Sequence, residues 1–155
     1  MTNSNNNTLT NNTILQSNYY GLRMDASDQN IIHSNRFSSN LIGIEVRGST
    51  NNLIWSNTFS GSPQYNALEE GSIPEHNEWN FGSTGNFWGD FEQNPGYPNV
   101  YEIPGSGDGV DQAPLNFRAL VGCHEADPEC SEMPVNGCDV RTTSIYNFPG
   151  GDFPS

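Results

Sequence analysis

Asn12-Thr13-Ile14, Asn35-Arg36-Phe37 and Asn57-Thr58-Phe59 are three copies of one short pattern, each about 22 residues after the last. A longer match recurs at the same interval between Gly21-Leu22-Arg23-Met24-Asp25 and Gly43-Ile44-Glu45-Val46-Arg47. A repeat of this length is typical of a solenoid, in which each turn buries its apolar face against its neighbours. The repeat therefore predicts the architecture directly.

Apolar and polar residues alternate inside each short run, which predicts β-strands. Stacked in parallel register, strands 21–25 and 43–47 place apolar pairs inside and oppositely charged pairs outside. The inward pairs are Leu22 with Ile44 and Met24 with Val46, and the outward pairs are Arg23 with Glu45 and Asp25 with Arg47. A slip of one residue would turn the charged side chains inward. This register is therefore the one we expect.

Asparagines recur at equivalent turn positions, where their side-chain amides can hydrogen-bond from one turn to the next. The expected ladders are Asn12 with Asn35 and Asn57, Asn18 with Asn40, and Asn30 with Asn52. The first turn contains one extra residue, which we expect as a bulge or a loosened turn between Ile14 and Asn18. These asparagines are interpreted as structural.

The composition excludes several classes of partner. Of the 155 residues 33% are hydrophobic, and the net charge is −13 with five Lys plus Arg, all of them arginine. Nucleic acid is an unfavourable ligand because phosphate binding needs a basic patch. We expect no membrane span, because no apolar run is long enough, and the Asn-rich start is not expected to act as a signal peptide. An extracellular, cell-surface or periplasmic location is favoured.

Three segments are expected. Residues 1–80 carry the β-helix repeats, residues 81–115 form a capping segment rich in glycine and aromatics, and residues 116–155 form an irregular tail with cysteines. The aromatics expected to cover the end of the solenoid are Phe81, Phe87, Trp88, Phe91, Tyr97 and Tyr101. Glu69 and Glu70 are expected at the solvated surface. Because the first turn lacks a comparable cap, we expect missing N-terminal repeats or end-to-end association.

The repeat N-x-F-S-x-N-x-x-G-I, the segment Gly85-Asn86-Phe87-Trp88-Gly89-Asp90 and the segment at 107–114 (GDGVDQAP) resemble a known group. They are similar to parallel β-helix proteins of the pectin-lyase-like superfamily, especially NosD-like periplasmic copper-binding proteins. The resemblance covers roughly residues 6–115. It implies an all-β fold: a short right-handed parallel β-helix of about three turns. The resemblance does not predict an activity, because the superfamily includes both enzymes and non-catalytic modules.

Asp25 and Glu45 are the candidate catalytic pair, since glycoside hydrolysis needs two carboxylates across the sugar. Each has an arginine neighbour in the expected register, which favours the ionised form over a general acid. Structural charge pairing is therefore the favoured interpretation. Whether the chain is an enzyme is left open, with a non-catalytic role preferred.

Metal sites are weakly indicated, and no cofactor is firmly predicted. Asp108 and Asp111 offer hard oxygen ligands for calcium in a glycine-rich loop. His33 and His76 suggest copper only through the family resemblance.

Cys123, Cys130 and Cys138, with His124, offer zinc ligands but lack a tight C-x-x-C spacing. One disulfide between two of the three cysteines is favoured over a metal site, with the third free or paired to another chain.

The leading hypothesis is a non-catalytic extracellular or cell-surface β-helix module that serves as a scaffold, binds carbohydrate, or does both, as the C-terminal part of a longer solenoid. The expected ligand is a polysaccharide or a cell-surface glycan. Four aromatic residues are the candidate sugar-binding positions: Tyr19, Tyr20, Trp55 and Tyr65. The alternatives are a polysaccharide lyase or glycoside hydrolase fragment, a NosD-like copper-binding accessory protein, and a self-assembling structural subunit.

Overall fold

The computed structural model describes residues 1–71 and 76–115. Twelve strands and one 3₁₀ turn occur in that part of the chain, and no α-helix does. The strands of the repeat are β1 (Thr8–Thr10), β2 (Thr13–Leu15), β3 (Tyr20–Asp25), β4 (Ile31–His33), β5 (Arg36–Ser38), β6 (Ile42–Arg47), β7 (Leu53–Trp55), β8 (Thr58–Ser60) and β9 (Tyr65–Glu70). They are followed by β10 (Phe87–Trp88), the 3₁₀ turn Phe91–Gln93, β11 (Tyr101–Glu102) and β12 (Val110–Asp111). Within the described ranges no helix is long and apolar enough to cross a membrane.

The strands form three parallel sheets, each of which takes one strand from every turn. Their orders are β1-β4-β7, β2-β5-β8-β10 and β3-β6-β9. Parallel neighbours that lie one turn apart in sequence confirm the short parallel β-helix. The segment after the repeats adds β10 to one sheet and forms an antiparallel pair from β11 and β12.

The predicted register of the longest strands is confirmed. Leu22 pairs with Ile44 and Met24 with Val46 inside, and between them Arg23 pairs with Glu45. The third strand of this sheet, β9, then pairs Val46 with Glu69, so Glu69 occupies a position that is apolar in both earlier turns. The expectation of a solvated Glu69 is therefore wrong, because its side chain is fully buried.

Left-handed residues make the corners between strands. At one corner Asn11, Ser34 and Ser56 have φ values of 59°, 56° and 54° and stack in successive turns. This conformation turns the chain sharply, and asparagine tolerates it better than most residues. The residue that follows each of the three is a ladder asparagine, buried in the second and third turns.

The extra residue of the first turn lies beyond the position that we expected. Leu15 still pairs with Ser38, and the Ser17 backbone N–H donates to Asn40 Oδ1 at 2.9 Å. Ser17 therefore takes the ladder position predicted for Asn18, and the extra residue falls between Ser17 and Tyr20.

An aromatic stack fills the C-terminal half of the core. Ring centroids are 4.9 Å apart from Phe37 to Phe59, 4.6 Å from Phe59 to Trp88 and 4.0 Å from Trp88 to Tyr101. Of the aromatics expected to cover the end of the solenoid, Phe87, Trp88, Phe91 and Tyr101 are buried. Phe81 and Tyr97 are instead 59% and 48% exposed.

Candidate functional site

Two ladders of asparagine side chains run through the corners of the β-helix, and each ends on a buried carboxylate. The first links Asn12, Asn35, Asn57 and Asn86 and ends at Asp111. The second links Asn7, Asn30, Asn52 and Asn77 and ends at Glu69. An asparagine accepts through its oxygen and donates through its nitrogen, whereas a carboxylate only accepts. A carboxylate is therefore suited to receive the last donor of each ladder.

Several N–H groups donate hydrogen bonds to the Asp111 carboxylate at the end of the first ladder. Its Oδ2 accepts from the Asn86 backbone N–H at 2.7 Å and from Trp88 Nε1 at 2.9 Å, while Oδ1 accepts from the Ala113 N–H at 3.0 Å. Burial raises the pKa of the Asp111 carboxyl. Asp108, its predicted partner for calcium, lies exposed. The Asp111 carboxylate is therefore buried and surrounded by N–H donors, whereas the Asp108 carboxylate faces solvent.

Glu69 has the same arrangement at the end of the second ladder. It accepts from Asn77 Nδ2 at 2.9 Å and from Trp79 Nε1 at 2.8 Å. Sequence reasoning missed this residue. The available signal was its register with Met24 and Val46, since a glutamate on an inward row must find buried donors.

The candidate catalytic pair, Asp25 and Glu45, shares a single guanidinium. Arg23 Nε lies 3.0 Å from Glu45 Oε2, and Arg23 Nη2 lies 3.4 Å from Asp25 Oδ2. The Arg23 guanidinium also lies over the Tyr20 ring, 5.3 Å from its centroid. The geometry therefore holds both carboxylates as partners of one cation.

Three of the four predicted sugar-binding aromatics lie at the start of one sheet. Tyr20, Ile42 and Tyr65 are in register across β3, β6 and β9, and Tyr19 directly precedes β3. Tyr19 is 72% exposed and Tyr65 is 42% exposed. Two strand spacings separate Tyr20 from Tyr65, which is about 10 Å. We call Tyr19, Tyr20 and Tyr65 the tyrosine surface.

Trp55, the fourth predicted aromatic, belongs to a different sheet. It stacks on His33 at 5.1 Å with an interplanar angle of 8°, and Phe81 lies 5.5 Å away at 42°. His33 comes from the previous turn and Phe81 from the following chain, so Trp55 has a ring on each side. We call His33, Trp55 and Phe81 the outer aromatic row. Trp55 has two ring neighbours, whereas in the part of the chain that the structure describes Tyr20 has the Arg23 guanidinium over one face of its ring and no ring stacked on it. Trp55 is therefore less available to a sugar than the tyrosine surface.

An open polar groove of about 330 Å³ runs along the corner between the sheets of β1 and β2. Hydroxyl and amide side chains line it, and Arg36 is the charged residue among them. Its lining residues are Asn11, Asn12, Thr13, Ser34, Asn35, Arg36, Ser56 and Thr58. The groove lacks the aromatic faces that the tyrosine surface offers.

Candidate metal ligands are scattered. Across residues 1–71 and 76–115 no group of three or more His, Cys, Asp and Glu side chains could hold a metal ion. His33 Nδ1 lies 3.2 Å from Ser34 Oγ, and His76 is exposed elsewhere. Cys123, Cys130 and Cys138 lie outside the described residues.

Comparison with known proteins gives one family. The family model described as "Periplasmic copper-binding protein (NosD)" matches residues 1–93, which is more than half of the chain. No curated protein and no solved structure shows a significant match. The matched residues include all nine strands of the repeat and β10.

Proposed function

The chain belongs to the NosD family of periplasmic copper-binding proteins, and from this premise we propose that it is a non-catalytic β-helix module that binds carbohydrate on its tyrosine surface. The family supports a periplasmic or extracellular location, where polysaccharide is accessible. The single observation that carries the proposal is the position of Tyr20 and Tyr65 in register at the start of one sheet, with Tyr19 directly before Tyr20, where Tyr19 is 72% and Tyr65 42% exposed.

Tyrosine combines an apolar ring, which packs against the apolar face of a sugar, with a hydroxyl that stays in water. Tyr20 and Tyr65 lie two turns apart, about 10 Å by strand spacing. That separation is comparable to the length of a disaccharide unit in an extended glycan. A polysaccharide that follows the helix axis would therefore meet a ring at alternate sugar units.

A catalytic role is less well supported. A general acid must carry a proton before it acts, whereas an adjacent arginine favours the charged carboxylate. Asp25 and Glu45 both contact Arg23, and Glu45 is only 7% exposed. These contacts favour the role of structural ion pairs.

The family implies copper, but the described residues do not fit a copper centre. Copper sites bring several ligands together at close range, chiefly histidine imidazoles, often with cysteine or methionine sulfur. His33 is stacked on Trp55, Met24 is completely buried, and no group of three His, Cys, Asp and Glu ligands forms in the described ranges. We therefore derive no copper chemistry from the β-helix.

The proposal is tested with the full chain by affinity electrophoresis through gels that contain soluble polysaccharides of different linkage. We expect retardation in at least one glycan, and we expect Tyr65→Ala to weaken it about fivefold, which corresponds to about 1 kcal/mol of lost ring contact. Tyr97→Ala is the matched control, because Tyr97 is similarly exposed at 48% but lies outside the tyrosine surface.

Two results would contradict the proposal. One is unretarded migration in every polysaccharide. The other is a Tyr19→Ala plus Tyr65→Ala variant that binds as tightly as the wild type. A parallel assay for new reducing ends or unsaturated products tests the enzyme alternative, and product formation that disappears in Asp25→Asn and Glu45→Gln would establish it instead.

A further inference from the structure

The chain contains two N-x-Thr glycosylation motifs, Asn6-Asn7-Thr8 and Asn11-Asn12-Thr13. Both lie in the first turn, on either side of the short strand β1. We propose that Asn6 and Asn11 are acceptor sites for N-linked glycans. This inference is independent of carbohydrate recognition by the tyrosine surface.

The geometry of both acceptors suits modification. Asn6 and Asn11 each have φ of 59°, and both are exposed at left-handed corners. Among the hydrogen bonds of residues 1–71 and 76–115, none involves either side-chain amide. Thr8 and Thr13, whose hydroxyls complete the two motifs, are exposed as well. Acceptor and recognition residue are therefore both accessible on the folded surface.

The neighbouring asparagines, Asn7 and Asn12, are unsuitable as acceptors because their side-chain amides are hydrogen-bonded. Asn7 Nδ2 donates to Asn30 Oδ1 at 3.0 Å, and Asn12 Nδ2 donates to Asn35 Oδ1 at 3.1 Å. Their amides belong to the ladders, where a glycan would break the stacking. The motifs thus fall on the outward residue of each corner and not on the inward one.

The reaction needs a lipid-linked oligosaccharide as glycosyl donor. A bond forms between the asparagine Nδ2 and the anomeric carbon of the first sugar, while the bond from that carbon to the lipid phosphate oxygen breaks. The amide nitrogen gives up one proton, and the lipid phosphate or pyrophosphate leaves with the bonding electrons. Oligosaccharide transfer of this kind takes place outside the cytoplasm, in agreement with the periplasmic or extracellular location that the family supports.

A later corner provides a matched position without the motif. Asn51 is also exposed, with φ of 56°, but the residue two places on is Leu53 in place of threonine. Leu53→Thr therefore creates a third motif at an equivalent corner. Asn51→Gln leaves the two natural motifs untouched.

The test directs the full chain to the periplasm of a host that carries an oligosaccharyltransferase and its lipid-linked donor, and measures intact mass. We expect two added glycans in the wild type and in Asn51→Gln, one in Asn6→Gln and one in Asn11→Gln. Thr8→Ala and Thr13→Ala should each remove one glycan while the asparagine is retained. Leu53→Thr should add a third.

An unmodified wild type would overturn the inference, and so would glycans that persist in Asn6→Gln or Asn11→Gln. Modification of Leu53→Thr at Asn51 alone would also overturn it, since the donor and enzyme would then be shown to work. Thermal unfolding of the glycosylated and unmodified chains provides a second readout. We expect equal or higher stability with glycan, because both acceptors point away from the core.

Discussion

Replacing Asn57 by alanine tests the first ladder at a position inside the protein. Asn57 is 1% exposed, and its Oδ1 accepts from the Asn35 backbone N–H at 2.9 Å and from Asn35 Nδ2 at 3.1 Å. Its Nδ2 donates to the Ile32 carbonyl at 2.8 Å, the Trp55 carbonyl at 3.0 Å and Asn86 Oδ1 at 3.0 Å. Asn57→Ala removes all five hydrogen bonds and leaves buried partners unsatisfied. Because a net hydrogen bond contributes about 1 kcal/mol and a stranded buried group costs about 1–3 kcal/mol, we expect a loss of about 3–5 kcal/mol.

The matched control is Asn12→Ala, at the same ladder position in the exposed first turn. Asn12 donates to Thr10 O and to Asn35 Oδ1, but water reaches its side chain and can replace lost partners. We expect a loss of about 1 kcal/mol or less. Urea unfolding followed by tryptophan fluorescence measures both variants. Equal losses, or a loss below about 1 kcal/mol for Asn57→Ala, would refute the reasoning that the buried side-chain hydrogen bonds of Asn57 stabilise the fold.

Three further predictions concern charge, pH and metal. Burial raises the pKa of Asp111 above its ordinary 3.8, so the folded chain holds this proton more tightly than the unfolded chain. The contribution of Asp111 to the free energy of unfolding is therefore full below pH 3.8 and falls as the pH rises through the raised pKa. The urea midpoint of the wild type, measured relative to that of Asp111→Asn, should decline over this pH range. An increase in that difference would contradict the prediction. Arg23→Gln should lower the free energy of unfolding, measured in urea, by about 1–2 kcal/mol more than Glu45→Gln does. Arg23→Gln leaves the buried Glu45 carboxylate without its cation, whereas Glu45→Gln leaves an arginine whose side chain is 36% exposed to water. Copper titration of the full chain by calorimetry should give the same stoichiometry for the wild type and for the double variant His33→Ala plus His76→Ala. If the double variant binds one copper ion fewer, copper binds on the β-helix and the prediction is wrong.

Much of the fold could be predicted because the repeat is periodic. A fixed interval brings equivalent residues into register, so Leu22 with Ile44 and Arg23 with Glu45 could be paired from sequence. The inward asparagine Asn35 could be assigned to a ladder in the same way. Tyr19 and Tyr65 are exposed, as a surface role requires, and the sugar-binding role of the tyrosine surface stays a prediction.

The sequence by itself determined the parallel β-helix, the register of its strands and the central rungs of two asparagine ladders, because these depend on short-range alternation and a constant repeat length. The tertiary structure decided where the ladders end. Beyond Phe59 the spacing between stacked residues grows to 25 from Asn52 to Asn77 and to 29 from Asn57 to Asn86, so no fixed period could locate the last rungs. The burial of Asp111 follows from that irregular closure, because a ladder that ends inside the protein still has donors that need an acceptor. Glu69 keeps the regular register of Met24 and Val46, but the donors that it meets there, Asn77 and Trp79, come from the irregular segment.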